Sequence, residues 1–127
     1  MLLAIDIGNT NIVLGVFEGR VLGPSWRLAT ARERTADELG LMVSQLLDRA
    51  GIQTAAIHGV VMASVVPPLT ATMIDMSERY LGTRPLNLEP GVETGMPVLY
   101  DNPAEVGADR IVNGMAAFEQ YGRARQV

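Results

Sequence analysis

Two short stretches of the sequence combine acids, glycine and small polar residues in a way that could do chemistry. The first, AIDIGNTNIV (residues 4–13), sets Asp6 at the end of one apolar run and Gly8, Asn9, Thr10 and Asn11 before the next. A turn of that make-up can surround a phosphate with backbone N–H groups, amides and a hydroxyl, while the acid holds the accompanying cation. A plainer reading stands beside it: Gly-Asn is an ordinary hairpin turn, and Asp6 can bond to turn amides. The second stretch is YDNPAEVGADR (residues 100–110). Gly107 inside a helix costs up to about 1 kcal/mol relative to Ala, and Asp109, a poor helix former, follows like-charged Glu105 by four residues. Arg110 has Val106, Gly107, Asn113 and Gly114 as its neighbours at helical spacing, so no acid on its own helix can pair with it. Locally unfavourable choices crowded together mark functional sites. A half-buried Asp109 would act as general base for a hydroxyl, Arg110 would take a carboxylate in bidentate fashion, and Tyr100 would line the same pocket. Alternatively, Gly107 serves close helix packing, the charged pair is solvated or bridges to another element, and Tyr100 anchors a loop.

Composition narrows the chemistry. The 127 residues include no Cys and one His, which removes thiolate nucleophiles, disulfides, cysteine zinc sites and multi-histidine centres. Any metal must therefore sit among oxygen ligands, as magnesium does. All ten basic residues are Arg, so Schiff-base chemistry and the phosphate-binding lysines of P-loop and protein kinases are excluded. A net charge of -4 without a basic run argues against a nucleic-acid surface, and an anionic ligand would need local help. His58 reads as structural, and Ser64, in ASVVPPL, has no plausible base and is not proposed as a nucleophile. No apolar stretch reaches the roughly 18 residues that cross a bilayer, and no basic leader precedes the first apolar run, which predicts a soluble, cytoplasmic protein without membrane partners.

The elements that would position these residues follow from periodicity. Residues 2–7 and 12–17 read as buried strands joined by the Gly8-Asn9 turn, and Glu18-Gly19 turns the chain into a third strand over 21–28. Pro24 places that strand at a sheet edge or on a bulge. Thr35 and Glu38 form a capping box, after which Leu39, Met42, Val43, Leu46 and Leu47 mark a helix that Gly51 ends. Residues 58–66 form a strand closed by Pro67-Pro68, and Leu69, Met73, Met76 and Tyr80 mark a second helix ending before Gly82. A short strand, a long loop, a strand at 98–100 and a helix over 102–121, capped by Asn102 with Pro103 and Glu105 in its first turn, complete the order. The expected class is α/β, a mixed sheet of about five strands in the order β-β-β-α-β-α-β-α.

Taken together, DIGNTNIVLGVF, TADEL, ASVVPPLT, GVETG and YDNPAEVGADRIVNGMAA resemble the N-terminal half of the type III pantothenate kinase family, which includes the Bvg accessory factor proteins. The family lies within the acetate kinase, sugar kinase and actin superfamily. The resemblance implies a ribonuclease H-like (actin-like ATPase) lobe over residues 1–122, with 123–127 starting the connection to a second lobe. It implies that Asp6, Ile7, Gly8, Asn9, Thr10, Asn11, Ile12 and Val13 form the ATP phosphate motif, with Asp6 at magnesium. It likewise implies that Tyr100, Gly107, Ala108, Asp109 and Arg110 bind pantothenate, with Asp109 as catalytic base. The hairpin is then bent around a phosphate. Members of the family continue for about as many residues again, with an Asp-x-Gly-Thr phosphate loop, a monovalent-cation site (K+ or NH4+) and the adenosine pocket, and resemble homodimers formed through that half. On this reading the 127 residues alone are inactive. Two alternatives accompany it: a non-catalytic regulatory member of the family, and a superfamily kinase for another small hydroxy acid.

Overall fold

In the computed structural model, which describes residues 1–88, the first three apolar runs become β1 (Leu2–Ile7), β2 (Asn11–Glu18) and β3 (Val21–Ala29). They are followed by α1 (Ala36–Arg49), β4 (Gly59–Ser64), α2 (Pro67–Met76) and β5 (Leu86–Leu88). The expected strand at 98–100 and helix at 102–121 lie outside the described residues. The five strands form one sheet in the order β3-β2-β1-β4-β5. β1 pairs antiparallel with β2 and parallel with β4, and β4 pairs parallel with β5, so the sheet is mixed as expected. β3 carries both features anticipated from Pro24. It is an edge strand, and Gly23 and Pro24 together oppose the single residue Val16, which is the two-against-one count of a β-bulge.

Strand alternation divides the side chains between two faces. Leu3, Ile5 and Ile7 of β1, Ile12, Leu14 and Val16 of β2, and Val60 and Met62 of β4 pack in one cluster with the apolar stripes of both helices. Within α1, Leu39, Val43 and Leu47 are fully covered at i, i+4 and i+8, whereas Met42 and Leu46 are half-buried at the stripe's margin. Each fully buried aliphatic of this kind contributes roughly 1.5–3 kcal/mol. The second face is smaller: Ala4, Phe17 and Val61 are buried, with Leu2, Val13, Leu86 and Leu88 beside them. Asp6 falls on this second face, in step with Leu2 and Ala4.

The helix ends are set locally. Thr35 Oγ1 accepts the Glu38 N–H at 3.1 Å while Glu38 Oε1 accepts the Thr35 N–H at 3.1 Å, the reciprocal box read from the sequence. Gly51, at φ 75°, takes the left-handed turn that stops α1. The second helical path differs from expectation. After Met76 it widens into a π turn, Ser77–Leu81, so Leu81 takes the buried position that α-helical spacing assigns to Tyr80. Tyr80 instead lies on the surface against Gly40, where any side chain on α1 would collide with its ring. Its hydroxyl donates to Asp37 Oδ1 at 2.5 Å, and Arg79 Nη2 donates to the same oxygen at 2.8 Å. The Tyr80 hydroxyl, and then the Arg79 charge, hold the exposed Asp37 carboxyl below the usual carboxylate range. No helix among the described residues is long and apolar enough to cross a membrane.

Candidate functional site

β1, β4 and β5 are mutually parallel, so their carboxyl ends at Ile7, Ser64 and Leu88 share one edge of the sheet. β3 is antiparallel to β2 and therefore ends at that same edge. In open α/β sheets this is the edge at which ligands bind. Asp6 stands one residue inside it and is only 6% exposed. The register places Arg27, Val13, Asp6, Ala63 and Leu88 in one row across the second face. Arg27 is exposed, two strands from the acid, and is the one cation in this row.

The turn between β1 and β2 is centred one residue later than the sequence reading placed it. The Gly8 N–H donates to Asn11 O at 2.9 Å, which leaves Asn9 and Thr10 as the two central residues. Neither has a positive φ, so the turn belongs to neither primed hairpin type. Gly8 is needed for closeness: a Cβ there would lie 3.1 Å from Asn11 O. Asn9 and Thr10 are exposed, and among the described residues no acceptor takes their N–H groups. Two of the turn's carbonyls are taken by Thr30. Thr30 Oγ1 donates to Gly8 O at 2.8 Å, and the Thr30 N–H donates to Thr10 O at 2.9 Å.

The neighbouring helix end is closed to anions. Val65 N–H donates to Ile7 O at 3.0 Å, which ties the start of α2 to the end of β1. Pro67 and Pro68 have no N–H, and the N–H groups of Leu69 and Thr70 both donate to Val66 O. Ser64 Oγ accepts the Val66 N–H at 3.1 Å and donates to Val66 O at 3.2 Å, so its hydroxyl is bonded to the backbone just before α2. His58 is exposed at the opposite edge, its N–H bonded to Met1 O. Among the described residues, the amides of Asn9 and Thr10 at the carboxyl edge are thus left without an acceptor, as an anion site requires.

Of the eight residues predicted around the first motif, Asp6, Gly8, Asn9, Thr10, Asn11 and Val13 lie at the turn or on the second face. Ile7 and Ile12 point into the helix-covered core, so only their backbones can face a ligand. Tyr100, Gly107, Ala108, Asp109 and Arg110 lie outside the described residues. Thr30 and Arg27 were missed by the sequence reading; extending the antiparallel pairing of Asn11 with Ala29 by one residue would have set Thr30 opposite Thr10. Among the described residues no three acids or histidines gather as a metal cluster. A single buried carboxylate suits a hard cation that takes its other ligands from water and phosphate, which is how magnesium is usually held.

Comparison with known proteins gives the family and the fold. A family model described as "Type III pantothenate kinase" matches residues 2–127. The type III pantothenate kinase of Myxococcus xanthus is 58% identical over 121 residues, covering 95% of this chain and 47% of the relative. That of Moorella thermoacetica is 57% identical over 122 residues, covering 96% and 48%. The chain spans about half the length of these curated relatives. Among solved structures, Thermus thermophilus RuvC in complex with a Holliday junction substrate superposes with a TM-score of 0.62 at 13% identity, covering 97% of this chain and 94% of that one. At that identity the likeness is one of fold, and the fold is ribonuclease H-like.

Proposed function

The chain belongs to the type III pantothenate kinase family, and from that premise we propose that it forms the N-terminal, phosphate-binding half of an ATP-dependent kinase. The reaction is transfer of the γ-phosphoryl group of ATP to the primary hydroxyl of pantothenate, giving 4'-phosphopantothenate, the first step towards coenzyme A. The observation that carries this reading is the pairing of a buried acid, Asp6, with a tight turn whose Asn9 and Thr10 N–H groups meet no protein acceptor among the described residues.

In this mechanism the Asn9 and Thr10 amides bind phosphate oxygens and fix their position, which is the larger share of what a kinase must supply. Gly8 lets the backbone come close, and Arg27 raises the local concentration of the anion. Asp6 would hold magnesium, which would neutralise phosphate charge. Asp109 orients the pantothenate hydroxyl and accepts its proton, Arg110 grips the substrate carboxylate through two parallel N–H bonds, and Tyr100, Gly107 and Ala108 line that pocket; these five roles rest on the family resemblance. A monovalent cation site, the adenosine pocket and a homodimer interface belong to the remainder of the protein on this reading, and the cytoplasm is its compartment.

Phosphorus NMR tests the reaction. The complete protein, given ATP, magnesium and pantothenate, should produce a new phosphomonoester signal, and the 127-residue chain alone should produce none. Phosphorylation of a different hydroxy acid in preference to pantothenate, or ATP binding without transfer to any, would overturn the assignment.

A further inference from the structure

The phosphate turn is held from outside by a residue just past the end of another strand. Thr30 lies 22 positions after Gly8, immediately beyond β3, and makes two bonds to the turn: its hydroxyl to Gly8 O at 2.8 Å and its N–H to Thr10 O at 2.9 Å. The first of these carbonyls belongs to the peptide group that carries the Asn9 N–H. A peptide plane is rigid, so fixing a carbonyl fixes the N–H on its far side. The Gly8 carbonyl shares its plane with the Asn9 N–H, and the Thr10 carbonyl shares its plane with the Asn11 N–H. With the Gly8 N–H bonded to Asn11 O at 2.9 Å, the loop from Gly8 to Asn11 is pinned at three points, while among the described residues no acceptor takes its two central amides.

We infer that Thr30 is a positioning residue for the nucleotide: its hydroxyl, by locking the Gly8–Asn9 peptide plane, aims the Asn9 amide at the ATP phosphates. This deepens the proposed kinase reading and rests on it. The side chain is half-buried, and its hydroxyl bond joins the sheet's edge strand to the turn. The backbone bond survives any side-chain change. Removing the hydroxyl alone therefore loosens one peptide plane without detaching β3.

The test compares Thr30→Val, nearly isosteric and equally suited to the end of a strand, with Thr30→Ser, which keeps the hydroxyl. The complete protein is assayed for the KM of ATP, the KM of pantothenate and thermal midpoint. The Val variant should raise the KM of ATP roughly tenfold, the scale of one net hydrogen bond, with the KM of pantothenate changed less than about twofold. The Ser variant should restore the wild-type KM of ATP. An unchanged KM of ATP in the Val variant, an equal rise in both KM values with a lowered midpoint, or failure of Ser to restore would each overturn the inference. Should the Val variant not fold, Thr30→Ala reads the same split. A wild-type protein that does not phosphorylate pantothenate refutes the kinase reading instead, which is a separate outcome.

Discussion

Replacing Gly8 by Ala separates the turn's proposed catalytic use from its structural one. The φ of Gly8 is not positive, so Ala meets no backbone strain there and should gain about 0.4–1 kcal/mol from reduced freedom of the unfolded chain. Against this, the new Cβ would sit 3.1 Å from Asn11 O, so that carbonyl must retreat by a few tenths of an ångström. The same oxygen accepts the Gly8 N–H at 2.9 Å, a bond of net value about 0.5–1.5 kcal/mol that would be weakened and not lost. The two effects offset to within about 1 kcal/mol, and the thermal midpoint should move by less than about 5 °C. Binding has no such compensation. Hydrogen bonds to a charged phosphate are worth about 1.5–3 kcal/mol each, and tilting one of them out of line corresponds to roughly a tenfold or greater rise in the KM of ATP. Initial rates of the complete protein against ATP concentration, alongside a thermal melt, give both quantities. A midpoint lowered by more than about 10 °C, or a KM of ATP equal to wild type, would refute the reasoning.

Asp109→Asn should lower kcat by roughly 10² to 10⁴ while leaving the KM of pantothenate within a few-fold, the pattern of a lost general base; unchanged turnover would remove Asp109 from that role. Thr35→Ala removes the side-chain acceptor for the Glu38 N–H and should cost about 1 kcal/mol, seen as a melt a few degrees lower that Thr35→Ser restores. Because the Tyr80 hydroxyl and Arg79 depress the pKa of Asp37, its contribution to stability is present above the unfolded carboxylate value and is lost as pH falls through the lower folded value. Asp37→Asn should accordingly flatten the stability curve below about pH 4 and leave its slope near neutrality unchanged; an unaltered acid limb would contradict this.

Much of the candidate site was legible because its determinants are close together in the chain. Period-two apolar runs, a proline in the third strand, the Thr35-Glu38 box and the acid beside Gly8 each act through neighbours a few residues away. The central residues of the turn were misplaced by one, since Gly-Asn suggests a primed turn, whereas the chain uses Gly8 for its small size and keeps Asn9 and Thr10 at negative φ. Tyr80 fits a helical stripe by spacing alone, and only the π turn beneath it transfers the buried position to Leu81.

Among the described residues, the sequence by itself determined which segments are strands and helices, and that an acid and a small polar turn stand together, because spacing and capping are local properties. Tertiary structure decided the rest. That Asp6 lies at the edge where β1, β4 and β5 end follows from pairing of residues 57 positions apart between β1 and β4 and 25 apart between β4 and β5. That Thr30 clamps the turn, and that the start of α2 offers no amide, depend on which carbonyls lie within reach after the sheet has assembled. Hydrogen bonds between distant segments form only when strand order and register have been chosen, and that choice is made by the whole core at once.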